Sequence, residues 1–422
     1  MTPPGGRRPG RSLVVRCAAV LTVSGPPVRN GWIEVARGRI IAVGCGRPRV
    51  PCIDLGDAVA LPGLVNAHTH LEFSDLRRPL DTTGGLAGWI RRIVALRRAR
   101  PTGADGAAGV ARAVATGLAE SIAEGVTSVG EIATTLAPAV VDALAAGRPR
   151  VRVFRESLGL AAPAAAAIAA VHRDLDRLEE RGLAAGVSPH APYSVSGSLG
   201  AHLVETSATR RLPIAMHVAE SRAEAELIAA GAGPFRDLLD QLGAWPAAAP
   251  RLLSAADWIS LLARGPRGLV IHGTWLDGDR AAWSRLVRHR ARLALVICPR
   301  TTLALAGRLP PLRDLRAAGV RMAIGTDSRA SNPDLSVRAE CCTLVDAGLV
   351  SPEESLAMAT VHGARAIGFD GVGSLTAGRR ADVVFVRPAV RAANPVAAAL
   401  DPSSPVVAVL RAGRLVAGSL PA

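Results

Sequence analysis

At 422 residues the chain exceeds a typical single domain, so one large domain with a smaller one appended is expected. Hydrophobic residues make up 49% and aromatics only 3%, which asks for a core of Ala, Val, Leu and Ile and suits the layered interior of an α/β barrel. The formal charge of +15 rests on 50 basic residues that are all Arg, scattered singly or in pairs along helix-like stretches such as 89–100; without a clustered footprint or an aromatic platform, nucleic acid is excluded as the partner.

The absence of Lys has a chemical consequence: no carbamylated Lys can bridge two metals, which favours a site with a single ion. The six Cys, Cys17, Cys45, Cys52, Cys298, Cys341 and Cys342, form no C-x-x-C pair, and the adjacent Cys341 and Cys342 are a poor disulfide candidate. Small buried thiols in a reducing cytosol are expected. Arg7, Arg8 and Arg11 precede a short apolar run, but Arg16 interrupts it and strand-like sequence follows. That reads as neither an export signal nor a membrane span, and a cytoplasmic location is expected.

In chain order, residues 1–11 are Pro-, Gly- and Arg-rich and expected to be disordered. Residues 12–59 carry short β-rich runs (SLVVRCAAVLTV, GWIEVARG, RIIAVG) divided by Gly and Pro, the texture of antiparallel strands with tight turns. From 60 to 371, short apolar runs alternate with Ala- and Arg-rich helical stretches. Strands predicted to start near Ala60, Val126, Val151, Ala184, Pro213, Gly268, Leu293 and Arg321 give a (β/α)8 TIM-type barrel. The long stretch 231–266 between the fifth and sixth of these is a candidate lid or pocket wall. Residues 372–422 (ADVVFVRP, VVAVLRAGRLVAG) return to strand-and-turn texture. Each end is too short to close a β-sandwich alone, and together they predict a small composite one.

The strongest chemical signal is LPGLVNAHTHLEF, with His68 and His70 two apart after an apolar strand. Strand side chains alternate faces, so both imidazoles point one way and make half a metal site at a barrel mouth. In LPIAMHVAES, His217 ends another strand and Glu220 follows three residues on, a carboxylate placed to move protons. His272 in GLVIHGTWLD and Asp327 in GTDSRASN stand at further strand ends. An acid there is costly to bury unless paired or metal-bound. His190 in SPHAPYSVS reads as a substrate contact, and Tyr193 beside it and Ser331 within GTDSRASN are further candidates.

This set resembles the amidohydrolase superfamily, and within it the aminohydrolase branch of S-adenosylhomocysteine, methylthioadenosine and aminodeoxyfutalosine deaminases and triazine chlorohydrolases. ICPRT, ATVHGARAIG and GSLTAGRRADVVF extend the likeness over nearly the whole chain. The resemblance implies one divalent ion, Zn²⁺ or Fe²⁺, held by His68, His70, His217 and Asp327. Such an ion lowers the pKa of bound water from about 15.7 to about 7. It also implies that Asp327 and His272 orient and deprotonate the water while Glu220 protonates the ring nitrogen beside the attacked carbon. Glu72 has two readings, a contact to a ribose hydroxyl or a solvated strand-end carboxylate.

The implied activity is deamination of an aminated purine-like ring, with a 5′-modified adenosine as the small-molecule substrate and a homodimer as the assembly. The alternative on the same scaffold is hydrolysis of another leaving group, a halide or a cyclic amide. A non-catalytic or nucleic-acid-binding protein would lack one of Glu220, His272 or Asp327. Two features depart from the branch. CPRTTLALAG stands where CPRSN is frequent, which points Thr301 and Thr302 at the leaving-group side, and the connection after His217 is unusually long.

Overall fold

The computed structural model describes residues 12–161, 165–248, 250–389 and 393–421; the segment 1–11 lies outside them. The chain begins as an antiparallel meander, β1 (Leu13–Val20), β2 (Val28–Ala36) and β3 (Arg39–Cys45). The tight β2–β3 turn places Arg37 and Gly38 at φ 52° and 76°, the left-handed pair of a two-residue hairpin. Two short strands, β4 (Ile53–Asp54) and β5 (Val59–Pro62), then pair parallel to β1.

At Gly63 the chain leaves this sheet. A Cβ there would stand 2.1 Å from Thr127 Oγ1, so only Gly lets the strand cross so close to its neighbour. The barrel follows as β6 (Leu64–Thr69), β7 (Val126–Ala133), β8 (Arg150–Ser157), β9 (Ala184–Pro189), β10 (Ile214–Val218), β11 (Gly268–His272), β12 (Leu293–Ile297) and β13 (Arg321–Ile324). The first predicted start, Ala60, is corrected: Ala60 belongs to β5, and the apolar run VALPGLVNAHT supplies one strand to each sheet. The other starts fall within a residue of prediction.

After the barrel, β14 (Val383–Val386), β15 (Val406–Arg411) and β16 (Arg414–Gly418) complete the terminal sheet in the order β16-β15-β14-β5-β1-β2-β3, with β4 beside β1. Strand β5 is the join, antiparallel to β14 and parallel to β1, so both chain ends are needed. Period-two alternation divides its faces. Leu61, Val384, Val386 and Val409 pack into the main barrel core, while Ala60, Val383, Phe385 and Leu410 join Val15, Ile33 and Ile40 in a separate one.

Neighbouring barrel strands pair parallel from β6 round to β13. The ring closes through a bridge between Thr69 and Asp327, with Thr326 N and Asp327 N both donating to His68 O at 3.1 Å. Gly325 permits this approach, since a Cβ would lie 2.8 Å from that of His68. Val65, Ala67, Phe154, Leu269, Ile271 and Val296 help fill the interior, a packing poor in aromatics as the composition demands. Across the mouth lies the helix Gly85–Ala99, and against it packs Pro234–Gln241 from the long stretch 231–266. Among the described residues no helix is long and apolar enough to cross a membrane.

Candidate metal centre and active site

The mouth residues sit where strand geometry is broken. A register shift between Asn66 and Thr69 interrupts β6 at His68. His68 Nε2 and His70 Nε2 each lie 3.7 Å from Asp327 Oδ1. His217 follows the inward Ala215 by two residues, and its ring centroid is 5.0 Å from that of His68. Its Nδ1 lies 2.8 Å from His190 O; a carbonyl only accepts, so the proton sits on Nδ1 and Nε2 keeps its lone pair. His272 directly follows the inward Ile271, and a φ of 68° turns it to the same side. Asp327, at φ 56°, is another non-glycine in left-handed backbone.

The donors fit a divalent cation. Both ring nitrogens of His68 and Nδ1 of His70 are buried without a hydrogen-bond partner among the described residues. Orphaned buried nitrogens are expensive, and a cation is what satisfies them. The 3.7 Å separations are too long for hydrogen bonds and near the donor spacing of about 3.4 Å around a tetrahedral ion. Burial and the neighbouring His68 imidazole lower His70 to about 4, and burial foremost takes His272 to about 3. His217 is lowered well below the usual range for the same reasons. Burial would raise Asp327, but His68, His70 and His272 hold it well below the carboxylate range. Neutral imidazoles beside an ionised carboxylate are the protonation states a metal requires. The donors fall in two groups that share His68, His68 with His70 and Asp327, and His68 with His217 and His272, and a third, Glu156 with His190 and His217, adjoins them through His217.

Glu220 stands over this cluster, its Oε1 3.4 Å from His272 Nε2. Burial and the negative charges of Asp327 and Glu224 raise its pKa well above the ordinary value, which favours the protonated form. Its placement depends on Glu224, which sequence reasoning missed. Glu224 accepts from Ala219 N at 2.7 Å and Glu220 N at 3.4 Å, pinning a turn in which Ala219 has φ 55°. The signal was there: Ser221-x-x-Glu224 is a capping-box pattern. Ser221 does cap the helix Arg222–Ala230, but the Glu carboxylate turns to the strand end instead.

The candidate substrate residues separate. His190 and Tyr193 line a cavity of about 100 Å³ together with Phe73, Trp89, Ile93 and Glu220. Tyr193 stacks on Phe235 with centroids 4.0 Å apart, which ties the 231–266 stretch to the cavity wall. Ser331 stands behind Asp327: its hydroxyl donates to Oδ2 at 2.8 Å and lies 2.9 Å from Thr301 Oγ1, so both hydroxyls orient the carboxylate. Glu72 is buried, not solvated, with Arg97 Nη2 at 2.5 Å from Oε1 and Arg100 Nη1 at 3.6 Å from Oε2. It is Arg97 that lines the cavity.

Two buried carboxylates were also missed. Both oxygens of Glu131 accept from Leu71 N, at 3.2 and 3.0 Å, and fix the backbone just after His70. Glu156, two residues beyond the inward Phe154, lines the cavity.

A model of the amidohydrolase family matches residues 59–416 of the chain. The chain belongs to the amidohydrolase family. This amidohydrolase is 29% identical over 395 residues to a 5-methylthioadenosine/S-adenosylhomocysteine deaminase of Moorella thermoacetica, covering 89% of this chain and 86% of the relative. Among solved structures it resembles Helicobacter pylori aminofutalosine deaminase in complex with methylthio-coformycin, with a TM-score of 0.82 and 22% identity over 96% of this chain and 100% of that one. It also resembles a zinc-bound adenosine deaminase from Xanthomonas campestris, with a TM-score of 0.74 and 24% identity over 96% and 92% of the two chains. The amidohydrolase is thus a hydrolase acting on carbon–nitrogen bonds other than peptide bonds.

Proposed function

We propose that this amidohydrolase deaminates the adenine ring of a 5′-modified adenosine. The observation that carries the reading is the buried Glu220 carboxyl 3.4 Å from His272 over the donor cluster, a carboxyl whose pKa burial raises and so suits a proton donor set beside a proton acceptor. The relatives' activities on adenosine derivatives support the substrate class.

His68, His70, His217 and Asp327 would hold one Zn²⁺ ion, and when bound the ion supplies the Lewis acidity that makes water nucleophilic at neutral pH. His190, through its carbonyl to His217 Nδ1, keeps that imidazole in the ligating tautomer. Asp327, oriented by Ser331, and His272 direct the water at the amino-bearing ring carbon and take its proton. Glu220 protonates the adjacent ring nitrogen, which makes that carbon electrophilic. The C–N bond then breaks, the amino group leaves as ammonia with the proton held at Asp327, and the oxygen gives its remaining proton back to Glu220 and stays as the ring carbonyl. Tyr193, Trp89 and Phe73 supply the apolar wall for the ring and 5′ substituent. Six free cysteines support a reducing compartment, the cytoplasm.

The test is ammonia release by the purified, metal-assayed protein from adenosine, 5′-modified adenosines, guanine, cytosine and triazines. Release from one adenosine derivative with about one ion per chain is expected. Silence on every adenosine while a triazine loses its halide would overturn the reading.

A further inference from the structure

Glu156 ends β8 and is 1% exposed. One carboxylate oxygen, Oε2, accepts from Thr134 Oγ1 at 2.6 Å, and the same hydroxyl meets Arg97 Nη2 at 3.0 Å. The other oxygen, Oε1, is buried and has no hydrogen-bond partner among the described residues, although Glu156 lines the cavity beside Arg97 and His190. A carboxylate oxygen removed from water and left without a donor is costly, and such an arrangement persists where the donor arrives with a ligand.

We infer that Glu156 is a specificity-determining residue: its free Oε1 accepts a hydrogen bond from a ribose hydroxyl of the nucleoside. This rests on the deaminase reading above and adds to it the group that reads the sugar. A metal is the other occupant to weigh, because Glu156, His190 and His217 bring donor atoms within 4.8 Å of one another. His217 Nε2, left free by the bond from Nδ1 to His190 O, would hold the ion proposed above, however, and His190 Nδ1 is engaged by Ser194 Oγ at 2.6 Å. Two donors remain, too few for a second closed site.

A cationic ligand is not called for either. Arg97 already serves this corner, its guanidinium on Glu72 and on the Thr134 hydroxyl that donates to Glu156, so a neutral donor is enough for the free oxygen. An adenosine carries its hydrogen-bond donors at two places. The exocyclic amine belongs over the metal ligands, which leaves the sugar hydroxyls for Glu156. Glu72 cannot take this part, since its oxygens are engaged by Arg97 and Arg100. It acts as a positioning residue for the Arg97 guanidinium.

The experiment compares kcat/KM for the preferred nucleoside with its 2′-deoxy and 3′-deoxy analogues, in wild type and in Glu156→Gln, with metal content measured in both. Wild type is expected to lose about 10- to 100-fold on the analogue lacking the recognised hydroxyl, the worth of a hydrogen bond to a charged group. Glu156→Gln is expected to lose a similar factor on the parent, little more on that analogue, and no metal. Equal loss on the parent and both analogues, or loss of metal, would overturn the assignment. Wild-type indifference to both hydroxyls overturns it without recourse to any variant. Activity on no nucleoside at all would instead sink the deaminase reading beneath it.

Discussion

Within four residues of β11 the barrel passes from floor to mouth, and the terms of its construction change. Leu269 and Ile271 are fully buried in an apolar interior with Ala215 and Val296, with every backbone group in a strand ladder. His272, the next residue, is held at φ 68° beside imidazoles with orphaned nitrogens and under the Glu220 carboxyl, whose pKa burial raises. The floor satisfies each local rule of packing, and the mouth breaks several at once. Left-handed backbone, unpaired nitrogens and displaced protonation states all cost stability, and they persist because the floor and the outer shell over-determine the fold. Stability and chemistry are therefore separable along a single strand.

The largest effects should come from the mouth. His68→Ala is expected to lose the metal and all measurable turnover, checked by metal analysis and ammonia release; full occupancy in that variant would break the ligand set. Glu220→Gln should keep the metal yet lower kcat by about 10²- to 10⁴-fold, the usual worth of general acid catalysis. If it turned over normally, the proton donor would have to be sought elsewhere.

A floor substitution should do the opposite. Leu269→Ala is expected to cost about 2–5 kcal/mol in denaturant unfolding while leaving kcat and KM near wild type at a temperature where it stays folded. A large kcat loss there would show that floor and mouth are not separable.

The mouth is legible in the sequence wherever a functional residue ends an apolar run. His68 and His70 stand two apart, and His217, His272 and Asp327 each follow a strand too hydrophobic to be solvent-facing. Glu156 satisfies the same argument but is disguised. Arg150, Arg152 and Arg155 make RVRVFRES read as a polar strand, yet all three are part-buried: Arg155 meets Asp174 on the outer face, while Arg150 and Arg152, on the same face as Phe154, meet Asp382 and the Ile367 carbonyl at the other end of the strand. Arg97 is 25 residues from Glu72, so their pairing exists only once the helix Gly85–Ala99 folds back. The break at Gly63 is invisible for a different reason: the apolar period is the same on both sides of it.

Behind the mouth, Glu340 offers a finer test by pH. It is fully buried and accepts from Arg300 N and Asn332 Nδ2, yet burial pushes its pKa up to about 8. A raised folded-state pKa stabilises the protonated form, so its contribution is complete below the ordinary value near 4.5 and lost as pH rises through about 8. Unfolding midpoints should fall across that window in wild type and fall less in Glu340→Gln. The smallest expected effect on stability is that of His272→Asn: Asn tolerates left-handed backbone, so the metal-free protein should gain up to about 1 kcal/mol, although activity disappears. Lower thermal stability in that variant would mean that His272 is not strained.

The seam at which the barrel closes uses the backbone of the residues proposed to hold its ion, through the Thr69–Asp327 bridge and the amides donated to His68 O. Ion loading and the meeting of the first and last strands then become one event, and binding energy is spent on zipping the ring. Chelation should loosen the protein along a line, with the amides of Thr326 and Asp327 exchanging before those of β8 or β9. An empty enzyme would be a barrel ajar at one joint, recognisable to a protease before it is unfolded.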